Sequence, residues 1–258
     1  MSNTSTDTGT GKHTTESHSI SPYWLILAVV LAGMLFYVGY SVTDSTQVTE
    51  VSFTGLYFSD ADELNKLLPE VNGAHVDSLN YLALIEQVEK APYVKKASAV
   101  LGYNGKLEFQ VEERMPIGLL AGKKQRYYVD ADGVVLPVIL PKAVKAPLVY
   151  GFPSVSDGDT LRENAFEMAN EFLLSLKNDH LLSATISEIS VDEQAGITGY
   201  THERAIPLQF GKTGYERKLK VWRTFYSNVV VDKGLQQFKT IDFRFNGQIV
   251  TRQRAANM

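Results

Sequence analysis

Along this chain the apolar residues change period several times, and each change marks an element. From Tyr23 to Val42 twenty residues pass without a charge, YWLILAVVLAGMLFYVGYSV. A helix of that length rises about 30 Å, the thickness of a bilayer core. Tyr23 and Trp24 stand at one end and Tyr37 and Tyr40 near the other, as aromatic side chains do at the two interfaces of a membrane. A cleaved signal peptide has a shorter apolar run of about 7–15 residues and a small-x-small site. Gly39-Tyr40-Ser41 is a poor match to such a site. A buried core helix is shorter and carries a polar stripe. The pattern therefore predicts a single transmembrane helix, residues 23–43, retained as an anchor. Residues 1–22 before it are Ser/Thr/Gly-rich and too poor in large apolar residues to fold, which predicts a disordered tail. Lys12 precedes the run, whereas Asp44 and Glu50 follow it and no Lys or Arg comes before Lys66. That asymmetry favours a cytoplasmic N-terminus with everything after Val42 outside.

A first outer module follows, residues 44–118. Val48, Val51 and Phe53 open a strand that stops at Gly55. Ser59 and Asp60 offer N-cap oxygens to ADELNKLL, with Leu64, Leu67 and Leu68 on one face and Pro69 as the stop. Asp77 and Ser78 offer a second cap to LNYLALIEQVEKA, where Leu82, Ile85 and Val88 recur at helical spacing before Pro92. Two alternating runs then flank Tyr103-Asn104-Gly105. A two-residue Asn-Gly turn would set Leu101 against Glu108 and mix the faces. A three-residue loop with Gly105 in the left-handed region sets Leu101 against Leu107 and Ala99 against Phe109, so the buried face selects that loop. The order strand–helix–helix–strand–strand is a small α+β unit with its helices on one sheet face.

The rest, residues 119–258, reads as a mostly antiparallel β domain with two helices. Tyr127 to Leu136 forms a hairpin around Asp130-Ala131-Asp132-Gly133, and Leu148 to Gly151 is a short extended piece. Asn164 to Leu182 carries an apolar stripe of Ala165, Ala169, Phe172, Leu173 and Leu176, a helix. ISEISV, GITGYTH and AIPLQF are strands. Gly211 turns the chain into a second helix with Leu219, Trp222, Tyr226 and Val229 on one face. Thr240 to Thr251 is a last strand, interrupted by a bulge or turn at Asn246-Gly247.

Composition narrows the chemistry. With 25 Lys+Arg against 29 Asp+Glu, the net charge of -4 argues against a protein that coats nucleic acid. There is no Cys among the 258 residues, so thiol catalysis, disulfides and thiolate metal sites are excluded. The five His are scattered without metal-ligand spacing. No G-x-S-x-G, phosphate-binding loop or Ser-x-x-Lys occurs. Asp130 and Asp132, and Asp157 and Asp159, lack the further ligands of a calcium loop and read as turn chemistry. Arg114 reads as a solvated arginine leaving the hairpin. Lys212, Arg217, Lys218, Lys220 and Arg223 read as a charged solvent face, with an anionic lipid or acidic partner as the sharper alternative. No catalytic, cofactor or metal site is expected.

Several segments together resemble the FtsQ/DivIB cell-division family. A strand–helix–helix–strand–strand unit directly after an anchor resembles a POTRA domain. Ala91-Pro92-Tyr93-Val94 followed by LEFQVEERMPIG resembles the segment that closes that domain in the family. YYVDADGVVLP resembles the family's next hairpin, and FGKTGYERKLKVW with TIDFRFNGQIV resembles its late helix and Asp-Leu-Arg-Tyr strand. Phe245 stands where the family often has Tyr, and Asn104-Gly105 where it often has Trp-Pro. Order and spacing carry the likeness, which runs from the anchor to the C-terminus.

The resemblance implies a non-enzymatic, single-pass scaffold of the bacterial division septum, with its N-terminus in the cytoplasm and its bulk in the periplasm. FtsB-like and FtsL-like bitopic coiled-coil proteins are the implied partners, and septal wall synthases follow indirectly. It also implies that Arg244 and Phe245 bind the partner, on a C-terminal strand expected to be a sheet edge. Exposed edges accept incoming chains through backbone hydrogen bonds. The bland alternative is that this strand only closes its own sheet. Two other functions compete: a POTRA-bearing transport or secretion component, which would need a barrel that the remaining length does not supply, and an anchored envelope hydrolase, which would need a convergent catalytic set.

Overall fold

The computed structural model describes residues 22–43, 47–123 and 125–254; in the first stretch the side chains are described from Tyr23 to Val38. Helix α1 (Pro22–Thr43) opens the chain. Every described side chain on it is exposed, Trp24, Leu31 and Phe36 included. Its residues are apolar on all sides, so no stripe directs one face toward a core. Among the described residues no helix is long and apolar enough to cross a membrane, the described side chains of α1 stopping at Val38. The expected interface residues Tyr23, Trp24 and Tyr37 are exposed on α1, while the side chain of Tyr40 and the tail residues 1–21 lie outside the described residues.

Next comes a three-stranded sheet built from β1 (Glu50–Thr54), β2 (Val94–Leu101) and β3 (Lys106–Glu113), with α2 (Ala61–Leu67) and α3 (Tyr81–Val88) on one face. The central β3 runs parallel to β1 and antiparallel to β2. Leu101 faces Leu107 and Ala99 faces Phe109, as the buried-face argument requires, and Gly105 has φ +75°. A Cβ on Gly105 would lie 2.3 Å from the Gln47 carbonyl oxygen, so the turn has no room for a side chain. Asp60 caps α2, accepting from the amides of Asp62 and Glu63. Two details differ from the sequence reading. Asp77 and Ser78 lie in a 3-10 turn, and Asn80 caps α3 instead. Starting the helix at Tyr81 buries Leu84 and Val88 and turns Leu82 outward, just as Leu67 is left outside on α2.

The second sheet has nine strands. They are β4 (Pro116–Ala121), β5 (Arg126–Asp130), β6 (Val135–Pro137), β7 (Leu148–Tyr150), β8 (Ile186–Asp192), β9 (Gly196–Thr201), β10 (Pro207–Gly211), β11 (Phe238–Asp242) and β12 (Val250–Gln253). Their order is β12-β11-β10-β9-β8-β7-β4-β5-β6, mostly antiparallel, with parallel steps at β10–β11, β7–β8 and β4–β7. Helices α4 (Asn164–Lys177) and α5 (His180–Thr185) make the β7–β8 crossover, and α6 (Tyr215–Phe225) makes the β10–β11 crossover. A parallel neighbour requires such a crossover, and the helices therefore pack on the sheet they connect. Phe172 of α4 sits 4.9 Å from Phe210, which stacks at 5.3 Å on Phe243, and Trp222 of α6 is fully buried beside them.

Three expectations are corrected here. Strand β4 had no counterpart in the sequence reading, and it straddles the expected division at 118/119. Pro116 and Gly118 disguise it, yet a Cβ on Gly118 would meet Val149 at 2.9 Å and Leu173 at 3.1 Å, so the glycine is where sheet and helix close together. The helix expected over Asn164–Leu182 breaks after Lys177, because Asp179 turns back to cap α5 through the amides of Leu181 and Leu182. The single strand expected over Thr240–Thr251 is two strands. β11 and β12 pair antiparallel, Ile241 against Thr251 and Asp242 against Val250, across a loop of residues 243–249.

The two sheets meet through a set of specific contacts. Phe58 stacks on Tyr93 at 4.3 Å, and both are buried with Tyr128 and Leu136 of the second sheet. The Tyr93 hydroxyl donates to the Pro137 carbonyl, and Lys142 Nζ donates to the carbonyls of Phe58 and Ser59 at 3.1 and 3.2 Å. Arg114 is not a solvated arginine. Its guanidinium lies 2.7 Å from buried Asp130, and Lys95 lies 2.9 Å from Asp132. Asp130 also accepts from the amides of Asp132 and Val134, so the pair of aspartates does organise a turn.

Candidate partner-docking edge

Splitting the last strand in two moves the edge. β11 is paired on both sides, parallel to β10 and antiparallel to β12. β12 is therefore the terminal strand of the sheet, with no described strand beyond it. Val250, Arg252 and Gln253 are exposed there. Most of the segment from Phe238 to Phe243 belongs to the core: Phe238, Ile241, Asp242 and Phe243 are buried, while Lys239 is exposed.

Arg244 and Phe245 lie in the loop between the strands, beside the edge rather than on it. Arg244 folds back on Asp242, with Nη2 2.6 Å and Nε 3.0–3.1 Å from its carboxylate, while its backbone N–H donates to Asp242 Oδ1 at 2.9 Å. Burial of Asp242 opposes ionisation, but the hydrogen bonds from Arg244 outweigh it and hold the carboxyl below the usual range. Much of the Arg244 side chain nevertheless remains exposed. Phe245 is 48% exposed, an unusual position for a phenylalanine without a partner.

Phe245 is also one wall of a groove of about 390 Å³ between the loop and α6, with Arg217, Val221, Phe243 and Ile249 as other walls. The groove continues along α6 past Ile249 to Thr224, Phe225 and Asn228. Arg217 Nη2 donates to Asn246 Oδ1 at 2.8 Å and ties the loop to the helix. The basic cluster read as one solvent face divides. Lys218 is buried, donating to the carbonyls of Phe210 and Thr213, and burial pulls its ammonium below the ordinary lysine range, with nearby Arg217 adding to it. Lys220 pairs with Glu216 and Arg223 with Asp179. Arg217, Arg244, Arg252 and Arg254 are exposed around loop and edge, which makes the surroundings of the groove cationic.

Sequence reasoning missed the groove and Val250, Arg252 and Ile249. The missed signal is the exposed Val250 beside half-buried Ile249, apolar residues placed after the Asn246-Gly247 turn where a second strand can begin. Elsewhere, His180 and His202 line one shallow groove with Ser183 and Ser187, and among the described residues no group of three or more acidic or histidine side chains could hold a metal ion.

The fold thus defines a mostly antiparallel α+β domain whose last hairpin leaves an exposed edge beside an apolar groove ringed by arginines. The comparisons give the family. The family model described as FtsQ/DivIB, C-terminal related, matches residues 115–252, more than half the chain, and the chain belongs to this cell-division family. It is 29% identical over 219 residues to a "Cell division protein FtsQ" of Rhodothermus marinus, covering 82% of this chain and 80% of the relative. It is 26% identical over 237 residues to the protein of the same name from Salinibacter ruber, covering 89% and 90%. A third, from Geotalea daltonii, is 24% identical over 237 residues.

Proposed function

We infer that the chain is a non-enzymatic, single-pass scaffold of the division septum. In this reading residues 1–22 lie in the cytoplasm, α1 anchors the chain in the inner membrane, and a POTRA-like unit and the nine-stranded domain stand in the periplasm. The partners are small bitopic coiled-coil proteins, FtsB-like and FtsL-like, which would add an extended stretch alongside β12. Membership of a cell-division family supports the setting. The observation that carries the docking mode is the exposed β12 beside a groove walled by Phe245. Backbone pairing with an edge strand supplies affinity, while an apolar side chain in the groove and acidic side chains near Arg244 and Arg252 supply selectivity. Anchoring both proteins in one membrane raises their effective concentration, so a modest site suffices.

The test is co-purification of the tagged full-length chain from its host's membranes, beside Phe245→Asp and Val250→Asp. Small single-pass proteins held by the parent and lost from both variants, with unchanged thermal unfolding, are the expected outcome. Undiminished capture by two folded variants would remove β12 and its groove as the docking site.

A further inference from the structure

The three-stranded unit has a polarity set by the chain that enters it. Thr49 is six residues beyond Thr43, the last residue of α1. Its amide donates to the Gly105 carbonyl at 2.9 Å and its hydroxyl to the Asn104 carbonyl at 3.0 Å. The tip of the β2–β3 hairpin is thereby tied to the point where the chain arrives from α1. β1 begins there, Glu50 against Lys106, and runs away from the tip. β3 runs in the same direction and ends at Glu113, where the chain passes to the second sheet. Whatever the path of the intervening residues, six of them span at most about 20 Å. The hairpin tip is thus the end of the unit nearest α1, and the nine-stranded domain follows from the opposite end.

That end is unusually apolar for a surface. Tyr103, at the apex, is completely exposed, Val100 is 50% and Leu101 38% exposed on the adjoining edge of β2. The loop leading into α3 is tied to the same place, Gly73 N–H donating to the Val48 carbonyl and Val48 N–H to the Ala74 carbonyl, and α3 opens with exposed Leu82. Glu50 and Lys106, at the start of β1 and β3, offset each other at 3.6 Å, and exposed Asp77 stands in the loop before α3.

We propose that this hairpin tip, with Tyr103 at its apex, rests in the headgroup zone of the membrane that α1 enters. The inference rests on the anchored reading of α1. A tyrosine with an apolar ring and a polar hydroxyl suits that zone, where one end of the side chain is dry and the other wet. The partner is the lipid surface itself, because the tether holds the tip beside it before any other molecule arrives. A second point of contact limits the tilt of the unit about α1 and so sets the height and heading of the β12 edge above the membrane.

The chain has no cysteine, so a single introduced thiol is the only site a fluorophore can take. The full-length chain is reconstituted into two sets of phosphatidylcholine–phosphatidylglycerol vesicles, one with nitroxide lipids at headgroup depth and one with nitroxides deep in the acyl chains. Labels are placed at Asn104→Cys on the tip, Val30→Cys within α1 and Glu193→Cys on the far domain. The tip label is expected to be quenched at least about twofold more than the far label, and Tyr103→Ser should abolish most of that excess. A Val30 label quenched by deep nitroxides alongside an unquenched tip label overturns the proposal and leaves the anchor standing. Quenching at neither position overturns the anchor and the proposal with it. Excess quenching that survives Tyr103→Ser overturns the role of the tyrosine.

Discussion

Glu113 ends β3 and grips the loop on the far side of the unit. Its carboxylate accepts the amides of Tyr57, Phe58 and Ser59 at 2.7, 2.8 and 2.7 Å. Burial works against its ionisation, but these bonds and one from the Ser59 hydroxyl outweigh burial and lower its pKa. Glu113 is therefore a better acceptor ionised in the folded chain than in the unfolded one. Its contribution is complete above the ordinary glutamate range and disappears as pH falls through the depressed folded value. Glu113→Gln should cost about 2 kcal/mol at neutral pH, read as a shift in the denaturant midpoint. The gap to the parent should narrow as pH falls below the ordinary glutamate range and close once the folded carboxylate is itself protonated, at a pH below that range. An equal gap at neutral and low pH would show that shape, not charge, holds the loop. Nothing in the local sequence singles out Glu113 from Glu112, since the amides it binds come from more than fifty residues earlier. The same applies to Arg114, whose partner Asp130 reaches it only through the turn of a different sheet.

At the scale of elements, alternation was read well where one face is buried. The Leu101–Leu107 register follows from it, because a slip of one residue would turn every apolar side chain to water. It was read poorly at the C-terminus, where the residues from Thr240 to Thr251 suit one strand or two. What decides is α6, which crosses to lay β11 beside β10 and leaves room for β12 at the end. Hydrogen exchange should report this difference. Amides of β11, bonded on both sides, should exchange far more slowly than those of β12, and addition of the docking partner should slow β12 selectively. Equal protection of the two strands in the free chain would mean that the edge is already covered. Strand β4 shows the converse failure, since Pro116 and Gly118 break the local signal while the fold needs both, one at the first strand position and one where no side chain fits.

For the whole molecule, the contacts among Phe58, Tyr93, Lys142, Arg114 and Asp130 join the two sheets, so the unit next to α1 and the domain that carries β12 are packed together. If the chain is the scaffold proposed above, the reach of its β12 edge is then set by the fold. Removal of residues 1–20 is expected to leave membrane association intact in fractionation and carbonate extraction; release of the shortened chain would show that the anchor needs them. What the sequence determined by itself is whatever depends on neighbours along the chain: the apolar run of α1, the Asp60 cap of α2, the hairpin turn at Gly105, and the segment order that marks the family. The tertiary structure alone decided which strand is the edge, that Arg244 answers to Asp242, and that Phe245 walls a groove with Ile249 and Arg217. Those outcomes depend on which distant elements pack together, and burial and pairing are settled only when all of the packed elements are in place.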